Sequence, residues 1–166
     1  MRSKTTFEEL ILSLKKSSTI VLVGFMGSGK TSFGKELAQK LNYNFLDTDK
    51  AIEELLGTTV ATLFQTKGEA FFRTAEKQLL DNLNVEHTVV ATGGGMPCFN
   101  DNMNYLNKIG VTVYLQYSAE ELYERLKQDK AKRPLLAKKT PKELKEYITN
   151  LLAQREKYYL QAQIIF

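Results

Sequence analysis

The chain is poor in the residues that hold small secreted or zinc-dependent proteins together. Its 166 residues include one cysteine, Cys98, and one histidine, His87. A single thiol excludes an internal disulfide and any cysteine-rich zinc site, and it fits a reducing compartment. Cys98 reads as an ordinary core or loop thiol. His87 lies in "NVEHTVV", a helix-to-strand connection away from every motif, and takes no catalytic role. No apolar run is long enough to span a bilayer. The N-terminal "FEELILSLKKSS" is short, amphipathic and carries two glutamates, unlike a secretory leader. A cytoplasmic location without a membrane partner is expected. Strong charge is also missing: 23 Lys+Arg against 19 Asp+Glu leave a formal +4. With no basic helix bearing interleaved aromatics, nucleic acid is not an expected partner either. Internal repeats and low-complexity tracts are absent.

What is present is enough apolar material for a core. A 43% hydrophobic content over this length suits one domain spanning residues 1–166, and a monomer is expected. Phe7, Leu10, Ile11 and Leu14 recur at helical spacing and predict a helix over 5–16, within an N-terminal extension of residues 1–18. The chain then alternates: strand 19–23, helix 29–41, strand 43–47, helix 49–56, helix 68–84, strand 88–92, helix 100–108, strand 111–116, helix 118–129, helix 141–160 and strand 162–166. That order predicts a three-layer α/β/α fold with a five-stranded parallel sheet. "TIVLV" and "TVVAT" are continuous branched runs, as expected of central strands covered on both faces. "DKAKRPLLAKK" reads as a mobile surface loop, neither strand nor helix, and marks a candidate lid at about 130–140.

Directly behind "TIVLV" stands "GFMGSGKT", residues 24–31. Its glycines let the backbone turn tightly and point consecutive N–H groups inward, at the positive end of the helix that follows. Lys30 can reach the β- and γ-phosphates of a nucleotide and the Thr31 hydroxyl can ligate Mg²⁺, so the pattern predicts a P-loop NTPase. Gly27, Ser28, Gly29, Lys30, Thr31 and Ser32 form the expected nucleotide-binding set.

Asp47 and Asp49 close the second strand in "FLDTDKAIEEL" and should face the same crevice. One can hold the metal's water shell while the other receives a proton from an acceptor hydroxyl. Alternatively, Thr48 or Asp49 merely caps the next helix. In "GEAFFRTAEKQLL", Arg73 and Glu76 share a helix face and can pair, an arrangement that is usually a surface salt bridge. "ATGGGMP" offers backbone N–H groups at Gly94 and Gly95, or simply a turn before Pro97.

Together the loop, "DTD", "FRTAE", "TGGG", "KRPLL" and "AQREKYY", running from Gly24 to Tyr159, resemble shikimate kinase in order and approximate spacing. The resemblance implies transfer of the γ-phosphate of ATP, with Mg²⁺, to the 3-hydroxyl of shikimate. It further implies that Asp49 orients or deprotonates that hydroxyl and that Asp47 acts on Mg²⁺ through water. Arg73 and Arg155 would hold the acceptor carboxylate, Gly94 and Gly95 would donate to it, and Glu76 would orient Arg73. Arg133 on the lid would stabilise charge on the transferring group. Arg125 resembles the family's adenine-stacking arginine, although one residue more separates it from Arg133. Members usually continue past the last strand, here "AQIIF", through a segment lining the adenine site. A gluconate or nucleotide kinase sharing the loop, and a nucleotide-dependent binding module without catalysis, are the alternatives.

Overall fold

Branched apolar residues with no alternation form strands that must be covered twice, and the sheet is built around two of them. The computed structural model describes residues 5–129 and 134–166. Strands β1 (Thr19–Val23), β2 (Asn44–Asp47), β3 (Thr88–Ala91), β4 (Val111–Tyr114) and β5 (Ile164–Ile165) pair in the order β2-β3-β1-β4-β5, every pair parallel. β1 is central and buried throughout, with Val21 opposite Val90 on one side and Thr112 on the other.

Side chains alternate across a strand, so β1 feeds two cores at once. Val21 and Val23 join a cluster with Val90, Tyr114, Leu152 and Tyr159. Ile20 and Leu22 join another with Leu37, Val89 and Val113. The helices between strands are α2 (Lys30–Leu41), α3 (Thr48–Leu56), α4 (Val60–Thr66), α5 (Gly68–Asp81), α6 (Asn102–Ile109), α7 (Ala119–Asp129), α8 (Pro134–Ala137) and α9 (Pro141–Tyr159). The N-terminal extension contributes a further helix, α1 (Phe7–Leu14), closed by a Thr6/Glu9 capping box. Its Leu10 and Leu14 are fully buried in the second core. Phe7 meets Phe33 of α2 edge-on at 5.3 Å, and Phe33 meets Phe166 at 5.2 Å. The extension therefore pins the helix that follows the phosphate loop.

Four local readings need correction. The segment 134–137 is a helical turn, not a surface loop, because Leu136 finds a fully buried seat in the first core. Helix α4 was not apparent in the sequence; Thr59 caps it by accepting from the Thr62 N–H, and only Leu63 of its residues is buried, too few to show a period. The helix expected to start at 49 starts at Thr48, with Asp47 as its cap. The last strand is shorter than expected, because only Ile164 and Ile165 pair with β4. Among the described residues, no helix is long and apolar enough to cross a membrane.

Candidate active site

The loop between β1 and α2 turns through left-handed backbone at Gly27 (φ 79°) and Gly29 (φ 87°), conformations a side chain would strain. Lys30 bends back over this loop: its ammonium donates to the Gly24 and Phe25 carbonyls, both at 2.8 Å, and to Ser28 Oγ at 3.4 Å. Ser28 is buried behind the loop, whereas Ser32 is exposed on the first turn of α2. Gly27, Gly29, Lys30, Thr31, Ser32 and Arg125 line a cavity of about 460 Å³. Arg125 lies over the Tyr117 ring, 4.0 Å from its centroid. Arg133 falls outside the described residues.

Asp47 sits where the loop and β2 meet. Thr31 Oγ1 donates to its Oδ2 at 2.8 Å, while its Oδ1 accepts the Asp49 and Lys50 N–H groups at 3.1 and 3.3 Å. Thus Asp47, rather than Thr48 or Asp49, caps α3. Thr48 is fully buried and accepts the Gly93 N–H at 2.9 Å, tying the triple-glycine loop to β2. Relieved of capping, the Asp49 carboxylate points into the cavity with Oδ1 buried and unpartnered. Burial, then the Asp47 charge, push its pKa up to about 6 against the pull of Lys30. A Cβ on Gly93 would collide with this oxygen, so only glycine fits there.

Asp49 also borders a larger cleft of about 1370 Å³, lined by Arg73, Glu76, Gly94, Gly95 and Arg155. The Arg73–Glu76 pair is not on the surface. Arg73 Nη1 donates to Glu76 Oε2 at 2.8 Å, with 10% and 1% of the two side chains exposed. Burial outweighs the attraction of Arg73 and raises the Glu76 pKa to about 7, leaving Oε1 without a partner. The other edge of the guanidinium, Nε and Nη2, donates to Glu69 Oε1 at 3.1 and 2.8 Å. The Phe99 ring covers the group, centroid at 4.2 Å. Arg155, half-buried on α9, also lines the cleft. One turn on, the Tyr159 hydroxyl donates to the Gly94 carbonyl at 2.5 Å.

The two cavities share Asp47, Asp49, Gly93 and Gly94 as a common wall. An acceptor hydroxyl beside Asp49 would therefore face a phosphate on the loop. A hydroxyl and a carboxylate side by side, Thr31 and Asp47, suit Mg²⁺, which takes hard oxygen donors and keeps several waters and phosphate ligands. Among the described residues no group of three or more His, Cys, Asp or Glu could hold a metal ion.

The family model for shikimate kinase matches residues 26–166. The chain belongs to the shikimate kinase family. A shikimate kinase of Bacteroides thetaiotaomicron is 45% identical over 148 residues, covering 89% of this chain and 85% of that protein. One of Flavobacterium psychrophilum is 45% identical over 143 residues, 84% and 83% of the two chains. Among solved structures, the Bacteroides thetaiotaomicron shikimate kinase superposes with a TM-score of 0.82 at 42% identity, covering 90% and 86%. The Acinetobacter baumannii shikimate kinase, in complex with shikimate, gives 0.82 at 35% identity, covering 94% and 86%. The α/β architecture is that of this family.

Three side chains that shape the site, Glu69, Phe99 and Tyr159, were not singled out in the sequence, and Thr48 was read only as a possible cap. Glu69 carried a visible signal, since it stands four residues before Arg73 on one helix. Tyr159 carried none, because its partner Gly94 is 65 residues away.

Proposed function

We propose that the chain transfers the γ-phosphate of ATP, bound with Mg²⁺, to the 3-hydroxyl of shikimate, giving shikimate 3-phosphate and ADP. One observation carries the reading: the buried, unpartnered Asp49 Oδ1 stands on the wall between the phosphate-loop cavity and a cleft faced by two arginines. Asp49, with a pKa of about 6, is ionised at neutral pH and accepts the hydroxyl proton as the acceptor oxygen bonds to the γ-phosphorus. The bond from that phosphorus to the β–γ bridging oxygen breaks, and ADP leaves with the electron pair.

Loop N–H groups cradle the β- and γ-phosphates, and Lys30 exchanges its loop carbonyls for phosphate oxygens. Thr31 and Asp47 would hold Mg²⁺, which would supply neutralisation of the phosphate charge. Arg73 and Arg155 grip the acceptor carboxylate, since planar guanidinium forks match it better than ammonium groups. Gly94 and Gly95 add backbone donors, and Glu76 holds Arg73 in orientation. Arg125 is assigned to the adenine and Arg133 to the lid, from the family pattern. Closure there would exclude water that otherwise hydrolyses ATP. The reading places the enzyme in the cytoplasm as a monomer acting on small molecules.

A coupled ADP-release assay with MgATP tests it, run with shikimate, gluconate, nucleoside monophosphates or no acceptor. Release that depends on shikimate is the expected result. Release with another acceptor would keep the loop chemistry and discard the acceptor assignment; no release with any would discard the kinase.

A further inference from the structure

The guanidinium of Arg73 can offer a carboxylate two bidentate edges, and the fold treats them differently. The end carrying both Nη atoms lies against the triple-glycine loop: a Cβ on Gly95 would come within 2.5 Å of Nη2 and 2.6 Å of Nη1. Backbone thus fills the approach to that edge. Nη1 is further committed to Glu76, a fully buried residue that has nowhere to move. Phe99 covers a face of the group. The remaining edge, Nε with Nη2, is held by one oxygen of Glu69. The Glu69 side chain is 54% exposed, and it lines the same cleft.

One carboxylate partner of Arg73 is therefore fixed and the other is displaceable. We propose that Glu69 is a stand-in for the acceptor's carboxylate, occupying the Nε–Nη2 edge of Arg73 until the substrate displaces it. This rests on the acceptor being a carboxylate bound by Arg73, as proposed above. In the empty cleft Glu69 keeps the guanidinium extended and its charge paired. On binding, the Glu69 carboxylate, already 54% exposed, returns to water while the buried guanidinium keeps a carboxylate partner. The cost is paid in acceptor affinity, and the arrangement selects for ligands anionic enough to win the exchange.

The test is Glu69→Gln and Glu69→Ala in the full chain, read by shikimate Kd from titration calorimetry and by KM for shikimate and for ATP. Removing the competing charge should tighten shikimate binding about threefold to fivefold, the scale of an exposed ion pair, with ATP KM unmoved. The neutral carboxamide of shikimate should gain nothing from either substitution. An unchanged or weakened shikimate Kd in both variants overturns the proposal and makes Glu69 a support of Arg73, like Glu76. An equal gain for the carboxamide also overturns it. Wild-type protein that fails to turn over shikimate would instead remove the function on which the proposal rests.

Discussion

On the nucleotide side the polar groups belong to the backbone, and Lys30 rests on carbonyls of its own loop. On the proposed acceptor side the polar groups are side chains drawn from α3, α5 and α9, with Arg73 and Glu76 buried as a pair and Asp49 Oδ1 buried without a partner. A backbone cradle needs only glycine at a few turns and a helix start behind it, so it is written in eight consecutive residues. A cleft of side chains needs the helices to be packed first. The nucleotide half is thus local and tolerant of its surroundings, while the acceptor half stores the cost of burying charge in Asp49 and Glu76, whose pKa values rise accordingly.

The largest effects should come from removing the charged group that each half brings nearest to the transferred phosphate. Lys30→Ala and Asp49→Asn should each lower kcat by about 10²–10⁴, the range for lost electrostatic or general-base catalysis, with circular dichroism unchanged. The halves then separate: Lys30→Ala should weaken ATP binding, whereas Asp49→Asn should leave it intact. If Asp49→Asn keeps wild-type turnover, the proton has another acceptor.

Arg73→Ala should raise acceptor KM about tenfold to a hundredfold, the worth of charge-assisted hydrogen bonds, with ATP KM little altered. It should also lower Tm, because Glu76 loses the cation that offsets its burial. An unmoved acceptor KM would take Arg73 out of the site.

pH sharpens the contrast further. The kcat/KM profile should fall on its acid side with an apparent pKa near 6, as Asp49 is protonated. Stability should run the other way. Asp49 and Glu76 have folded-state pKa values above those of unfolded carboxylates, so the folded protein binds more protons between about pH 4 and 7. Their contribution is present below the unfolded pKa and is lost as pH rises through about 6 and 7. Tm should therefore decline across that window relative to Glu76→Gln, in which the slope is reduced; a Glu76→Gln protein with the wild-type slope would refute the assignment.

The smallest effect joins the halves. Tyr159→Phe removes the hydroxyl that holds Gly94 and should cost about 1 kcal/mol of stability, seen as a lower Tm. Acceptor KM should rise modestly, because the glycine loop between the cavities loses an anchor. A lower Tm with no kinetic change would confine Tyr159 to the core.

Much of this was legible beforehand because it is local. Branched runs declared β1 and β3 as central strands, the glycine–lysine–threonine loop declared phosphate binding, and ordered motifs declared the family. The Asp47 and Asp49 roles were legible only as alternatives, since a residue pair at a strand end caps and catalyses with the same carboxylate. The structure separates the capping alternatives: Asp47 takes the capping bonds and the Thr31 hydroxyl, and Asp49 Oδ1 is left without a partner. Leu136 shows the same limit in the fold, for a charged stretch with one apolar pair reads as loop until a packed core offers that pair a seat.

By itself, then, the sequence determined what neighbours along the chain can do together: turn a loop, start a helix, alternate strand and helix, and place Arg73, Glu69 and Glu76 on one α5 face. The tertiary structure alone decided which of those charges leave water. Burial is set by what distant segments lay over a residue, as Gly95 lies over Arg73 and Tyr159 meets Gly94. It is burial that turns an ordinary helical ion pair and an ordinary strand-end aspartate into the proposed acceptor site.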